Sequence, residues 1–141
     1  MDKFNSEGYA DLTAYEALMK IEQEERVARK AANFRPLVYI CSPYSGNTEF
    51  NANNARIYSR FAVAKGAIPL APHLLFPQFM SEEYERSLAL FMGSVLLGKC
   101  KEVWVFGDTM SGGMKIETAK AKKMGKVIRY FNEELEEIQC S

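Results

Sequence analysis

Two carboxylates lie beside a short glycine-bearing loop and could carry chemistry. Asp108 follows Gly107 directly, and Glu117 comes about one turn into the helical pattern that starts near Met114. A carboxylate beside a bound sugar can attack the anomeric carbon while another group assists the leaving group, as in retaining glycosyl transfer. The same loop also fits an ordinary turn in which Asp108 and Ser111 only cap the helix. The residues alone leave both interpretations open.

The loop joins a predicted strand to a predicted helix. Residues 103–106 form an apolar run that indicates a buried strand, and residues 114–124 have helical spacing. In an open α/β sheet such a junction lies at the carboxyl end of a strand, where ligands bind. Free backbone N–H groups and the helix dipole there favour a phosphate or a carboxylate. The Ser-Gly-Gly sequence itself is not a phosphate-loop signature.

His73 and Tyr39 are two further candidates. His73 is the only histidine and follows the second predicted strand, where it could transfer a proton. A histidine with no cysteine or second histidine nearby is more often a structural hydrogen-bonding residue. Tyr39 lies inside a predicted strand, so its hydroxyl needs a partner if buried, and Glu117 is a candidate. Because the sequence has no metal-ligand cluster, GxGxxG turn or Walker A loop, we expect neither a metal nor a cofactor.

The composition limits the possible partners. The chain has 141 residues, enough for one domain, with 48% hydrophobic and 26% charged residues, as in soluble globular proteins. The 18 Lys and Arg residues equal the 18 Asp and Glu residues, so no net charge attracts nucleic acid or a membrane surface. The three cysteines lack metal-ligand or CxxC spacing, and no apolar signal core or membrane-spanning run is present. We therefore predict reduced thiols, a cytoplasmic location and a small-molecule ligand.

Apolar runs alternate with helical segments along the chain. This alternation predicts an α/β fold of βαβ units with a parallel sheet and right-handed crossovers, and Pro69 predicts that the second strand lies at or near the sheet edge. The predicted strands are 37–41, 67–71, 102–106 and 126–130, and the predicted helices are 51–65, 82–98 and 114–124.

Two segments flank the predicted α/β domain of residues 37–131. Residues 1–36 are expected to form an N-terminal helical extension, with a capping box at Thr13–Glu16 and a helix to about residue 32. Its incomplete apolar stripe fits packing on a partner subunit or domain edge as well as it fits a solvated helix. Residues 132–141 form an acidic C-terminal tail, expected to be a short exposed helix.

The loops that follow the first three strands are predicted to open on one edge of the sheet, because parallel strands share their carboxyl ends. That edge is the predicted ligand site. The candidate ligand-binding residues there are Ser42, Tyr44, Ser45, Gly46, His73, Gly107, Ser111, Gly112, Gly113 and Met114.

Three segments resemble the nucleoside 2-deoxyribosyltransferase superfamily and, more narrowly, its DUF4406-like branch. They are Val38–Tyr44 (VYICSPY), Pro69–His73 (PLAPH), and Trp104–Gly107 (WVFG) with Ser111–Glu117 (SGGMKIE). The likeness covers about residues 37–130. It implies a Rossmann-like, flavodoxin-type sheet in a single-domain three-layer sandwich. It also implies a homo-oligomer whose subunits complete one another's sites, and cleavage of the N-glycosidic bond of a deoxynucleoside or its monophosphate.

The resemblance also implies roles for single residues. Glu117 matches the nucleophile that forms a deoxyribosyl-enzyme ester, and Tyr39 matches the strand tyrosine that orients it. Ser111 matches a serine that contacts the 5′-phosphate in the monophosphate-hydrolysing branch. Asp108 falls close to a loop aspartate that helps to hold the sugar in the transferases.

The chain departs from the family pattern at Gly93, where the family has an aspartate in the helix before the third strand. Lys101-Glu102 also stands where an aspartate often opens that strand. The group that manages the proton of the base would then be missing, or would come from His73, Glu85 or a neighbouring subunit. Because a fold can persist while its function changes, two alternatives stay open. They are a non-catalytic sensor of a nucleotide or sugar phosphate, and an interaction protein that uses its N-terminal helix.

Overall fold

The computed structural model describes residues 12–139, without the side chains of residues 12 and 30–32. The chain divides into two compact units, Met1–Phe34 and Arg35–Ser141. In the first unit the described residues form one helix, α1 (Leu12–Ala32), which is rich in the strong helix formers Ala, Glu, Lys and Arg. The predicted division into domains at residues 36 and 131 stays a prediction.

The second unit alternates strands and helices as the apolar runs predict. Its elements are β1 (Leu37–Cys41), α2 (Thr48–Ala64), β2 (Ile68–Leu70), α3 (Pro72–Leu75), a 3₁₀ turn (Phe76–Gln78), α4 (Glu82–Lys99), β3 (Glu102–Phe106), α5 (Gly112–Lys123), β4 (Val127–Phe131) and β5 (Glu137–Ile138).

The strands form one sheet in the order β2-β1-β3-β4-β5. The first four are parallel, so the predicted α/β fold with a parallel sheet is confirmed. Pro69 lies in β2 at the edge of the sheet, where a residue without an N–H costs no ladder hydrogen bond. Within the described residues, no helix combines the length and hydropathy that a membrane span requires.

The expected C-terminal helix is wrong for the described residues. Asn132 Oδ1 accepts hydrogen bonds from the backbone N–H groups of Glu134 and Glu136, and Leu135 adopts a φ of 65°. This tight turn returns the chain as β5, which pairs antiparallel with β4. A side chain that bonds its own local backbone competes with a helix, which explains why the acidic composition misled the prediction.

Two other boundaries differ from those predicted. The helix expected from residue 51 begins at Thr48 because the Asn47 side chain accepts a hydrogen bond from Phe50 N at 3.1 Å and caps it. The segment after β2, expected as a loop, begins with the short helix α3, since Pro72 fits the first position of a helix.

The core has two apolar clusters, one on each face of the sheet. On one face Ile40 and Phe106 pack with α2; on the other, Tyr39 and Val103 pack with Leu97 of α4 and with α5. Successive strand residues point to opposite faces, so this alternation produces three layers and directs the Tyr39 side chain towards α4 and α5. The three-layer, flavodoxin-like arrangement is confirmed.

Candidate functional site

A cleft of about 250 Å³ opens beside β1, with α4 and α5 among the elements that line it. The chain leaves β1 towards β2 and leaves β3 towards β4, on opposite sides of the β1–β3 pair. This reversal is the topological switch point of the sheet, where the connecting helices separate and a crevice forms at the carboxyl ends of the strands. The cleft therefore lies at the edge that the sequence predicts.

The cleft brings together most of the predicted site residues. These are Tyr39, Ser42, Tyr44, Ser45, His73, Ser111, Gly113, Met114 and Glu117. Four others, Gly46, Gly107, Asp108 and Gly112, do not line it. The roles assigned to all of them from the sequence stay predictions.

Glu117 and Tyr39 both line the cleft and contact each other. The Tyr39 hydroxyl donates a hydrogen bond to Glu117 Oε2, so the contact expected between them is confirmed. Tyr39 is only 3% exposed, and burial, followed by the charge of Glu117, raises the pKa of its hydroxyl. The hydroxyl therefore stays protonated and acts as a donor that orients the carboxylate.

Cys41 contacts the other oxygen of the same carboxylate. Its Sγ lies 3.9 Å from Glu117 Oε1 and 4.0 Å from Met114 O. Burial, followed by the charge of Glu117, raises the pKa of this thiol, so it stays an S–H donor rather than a thiolate. Sequence reasoning placed Cys41 only in the interior; its spacing of two residues from Tyr39 in one strand was the signal that both share a face.

The environment of Glu117 combines burial with neutral donors. Burial raises the pKa of its carboxyl, while the hydrogen bond from Tyr39, the charge of Lys120 and the contact with Cys41 act in the opposite direction. Lys120 Nζ itself donates a hydrogen bond to Ser94 Oγ at 2.6 Å. Among residues 12–139, no salt bridge includes Glu117. Its carboxylate is thus oriented and poorly solvated, a state that suits a nucleophile or a ligand acceptor.

His73 is held in one tautomer on the wall of the cleft. Its Nε2 lies 3.1 Å from Ser42 O, and because a carbonyl only accepts, Nε2 carries the proton. Burial lowers the pKa of His73 although the bond to Ser42 opposes the shift, so the ring is neutral. The Tyr44 ring stacks on it with centroids 4.9 Å apart and 14° between the planes. His73 therefore offers Nδ1 as an acceptor and has no free proton to give.

Of the two candidate side chains in the loop between β3 and α5, Ser111 lines the cleft and Asp108 does not. Ser111 Oγ accepts a hydrogen bond from Met114 N at 3.3 Å and caps α5, so the capping interpretation is confirmed for Ser111. Asp108 is exposed, and its charge, after burial and Glu133, raises the pKa of Tyr58 in α2. Asp108 does not line the cleft that holds Glu117.

One wall of the cleft comes from α4, a contribution that sequence reasoning largely missed. Arg86, Leu90, Gly93 and Leu97 line the cleft at helical spacing. The sequence of α4 is apolar on several sides, so its periodicity does not show which side faces α5. Gly93 is buried, and a Cβ atom built there would lie 3.8 Å from the Tyr39 hydroxyl.

The described residues contain no group of three or more His, Cys, Asp or Glu side chains that could hold a metal ion. The side chains in the cleft that could take part in chemistry include the Glu117 carboxylate and its donors Tyr39 and Cys41.

Comparisons with known proteins agree with this architecture. The sequence model of a domain of unknown function, DUF7768, matches residues 36–131. A solved structure of a 2-deoxyribosyltransferase from the psychrotolerant bacterium Bacillus psychrosaccharolyticus is similar in fold, with a TM-score of 0.55 and 18% identity over 73% of this chain and 77% of that chain. No curated protein matches the sequence. The resemblance to the DUF4406-like branch stays a prediction.

Proposed function

The chain belongs to the DUF7768 family, and we propose that it cleaves or transfers the N-glycosidic bond of a small deoxynucleoside or its 5′-monophosphate, with Glu117 as nucleophile. The observation that carries the proposal is the hydrogen bond from Tyr39 to Glu117 inside a cleft at the topological switch point. The fold shared with a 2-deoxyribosyltransferase supports it.

In the proposed reaction Glu117 attacks C1′ of the sugar. The bond from C1′ to the base nitrogen breaks, its electron pair leaves with the base, and a glycosyl ester forms on the carboxylate. The leaving base takes a proton from water. In the second step water, or the nitrogen of another base, attacks C1′, loses its proton to solvent and releases the Glu117 carboxylate. Hydrolysis and transfer thus differ only in the acceptor.

The surroundings of Glu117 suit the first step. A carboxylate that burial deprives of water is a stronger nucleophile than a solvated one, and the donors Tyr39 and Cys41 limit its rotation. Lys120 favours the charged form, so the carboxylate is ionised over a wider pH range than burial alone would allow. The backbone N–H groups at the start of α5, beside Ser111, suit a 5′-phosphate.

A second candidate function is recognition of a nucleotide or sugar phosphate without bond cleavage. The observation that favours it concerns two positions expected to manage the proton of the base: Gly93 has no side chain, and the Nε2–H of His73 is committed to Ser42 O. A sensor would use the same cleft and the same carboxylate as a hydrogen-bond acceptor.

Release of free base distinguishes the two functions. The purified protein is incubated with deoxynucleosides and their 5′-monophosphates, and base release is followed by chromatography beside Glu117→Gln and the control Glu137→Gln. Release by the wild type and the control, lost in Glu117→Gln, supports the glycosidic reaction. Ligand-dependent melting without any release contradicts it and supports the sensor.

The proposal extends to a homo-oligomer formed through α4. Its outer face carries Tyr84, Leu88, Phe91 and Val95, which are 48–83% exposed and follow one another at helical spacing. Large exposed apolar patches mark interaction sites, and this face points away from the cleft-lining positions of the same helix. A second copy of the chain offers a matching apolar stripe.

The oligomer has its own test. Light scattering of the wild type is expected to give a mass above that of one chain, and Leu88→Glu is expected to reduce it to one chain. Ile57→Glu replaces another exposed apolar residue, on α2, and serves as the matched control. A single-chain mass for the wild type would contradict this part of the proposal.

A further inference from the structure

Gly93 occupies a position where glycine is a poor choice for stability. It lies in the interior of α4 (Glu82–Lys99), and glycine is less favourable than alanine in the middle of a helix because it loses more backbone entropy on folding. The stability of the helix therefore does not explain a glycine at this position.

Nothing in the protein around Gly93 requires that this position lack a side chain. Its φ is not among the positive values of the described glycines. A Cβ atom there would meet no atom closer than the Tyr39 hydroxyl at 3.8 Å, which is an ordinary van der Waals distance. An alanine would fit the fold as it stands. What it would take away is space inside the cleft, directly beside the Tyr39–Glu117 pair.

We infer that Gly93 is a specificity-determining residue whose bare backbone leaves room for the ring of a bicyclic, purine-type base. The inference rests on the proposed function. In that reaction the nucleophile and the leaving group lie on opposite sides of C1′, so only this carbon separates the base from the Glu117 carboxylate. Gly93 lies on α4 beside the Tyr39 hydroxyl, whereas Ser111, next to the N–H groups that suit the 5′-phosphate, is at the start of α5.

The neighbouring wall fits a flat ring. Ala89 and Leu97 stand one turn before and after Gly93 on the cleft side of α4, so Gly93 has apolar neighbours along the helix and forms a shallow depression between them. Glycine is the usual residue where a backbone must approach a ligand closely. A bicyclic base needs the space above Gly93 more than a monocyclic base does. The size of the side chain at residue 93 therefore discriminates between the two classes of base.

The test separates stability from binding. Gly93→Ala is made in a Glu117→Gln background, so that the ligands are not consumed, and calorimetry compares 2′-deoxyadenosine with 2′-deoxycytidine, which share a sugar and differ in ring size. Gly98→Ala is the matched control, because Gly98 is an exposed glycine of the same helix that does not line the cleft.

Both alanine variants are expected to melt about 3 °C higher without ligand. Gly93→Ala is expected to weaken deoxyadenosine binding at least about tenfold and deoxycytidine binding less than about threefold, and Gly98→Ala to change neither. Equal effects on the two ligands, no effect of Gly93→Ala, or a lower melting temperature of Gly93→Ala would overturn the inference while the proposed function stands. A wild type that neither binds nor cleaves any nucleoside would overturn both.

Discussion

Two glutamates of the same domain have opposite surroundings. Glu117 is in the cleft, where a tyrosine and a thiol contact it and burial raises its pKa. Glu137 is on the exposed strand β5, where Arg129 binds both of its oxygens at 2.6 and 2.9 Å. The hydrogen bond from Arg129 lowers the pKa of Glu137. The Glu117 carboxyl is buried and contacts neutral donors, whereas the Glu137 carboxyl is solvent-exposed and contacts a cation.

The arginine of the second pair belongs to a structural cluster. Its guanidinium lies 4.8 Å from the centre of the Trp104 ring and 5.4 Å from that of Phe131, and Trp104 Nε1 donates to Glu102 Oε1 at 2.9 Å. These contacts attach β5 to the sheet. The exposed carboxylate of Glu137 is thus paired with a cation, whereas that of Glu117 has no salt bridge among the described residues, which leaves its charge available to a ligand.

The largest expected effect concerns turnover. Glu117→Gln keeps the size of the side chain but removes the nucleophile, so base release should fall by at least about a thousandfold. Glu137→Gln should stay within about twofold of the wild type. The rate of base release is measured by chromatography for both variants. Equal loss of activity in the two variants would contradict a special role for Glu117.

Tyr39→Phe should have a smaller effect on the same reaction. It removes the donor that orients Glu117, and turnover should fall by about 10- to 100-fold. Because that hydrogen bond lowers the pKa of Glu117, its loss should move the acid limb of the pH–rate profile to higher pH. Cys41→Ala should move the limb in the same direction by less. An unchanged limb in Tyr39→Phe would contradict this account.

The two glutamates should also have opposite effects on stability at neutral pH. The folded-state pKa of Glu117 is raised, so its contribution to stability is present at low pH and is lost as the pH rises through the folded pKa. Glu117→Gln should therefore increase the free energy of unfolding at pH 7, on the order of 1 kcal/mol. Denaturant melts should show this gain shrinking below about pH 4.

Glu137→Gln should change the free energy of unfolding least, and in the direction opposite to Glu117→Gln. Its folded-state pKa is lowered, so the stability from its pair with Arg129 is present above the ordinary glutamate pKa and is lost as the pH falls through the folded value. Glu137→Gln should lower the free energy of unfolding at pH 7 by about 0.5–1 kcal/mol, since the pair is partly exposed. High salt should reduce the difference; a salt-independent loss would contradict an ionic origin.

The local sequence determined the secondary-structure elements and pointed to one contact of the site, that between Tyr39 and Glu117. Apolar runs marked the first four strands of the second unit because strands buried on both faces carry little else, and Pro69 marked the edge because it lacks an N–H. Glu117 could be named from sequence as a candidate partner of Tyr39 because a buried hydroxyl needs a hydrogen-bond partner. Ser111 caps its helix by a contact over three residues.

Only the tertiary structure decided which side chains share the cleft. Cys41 joins Glu117, and Gly93 faces Tyr39, because α4 and α5 pack on one face of the sheet at a particular rotation that their own periodicity does not specify. Asp108 does not line the cleft although it follows β3, and Gly107 before it has a φ of 102°. Hydrogen bonding and apolar periodicity act over a few residues, whereas the rotation of a helix and the direction of a loop depend on the whole packed domain.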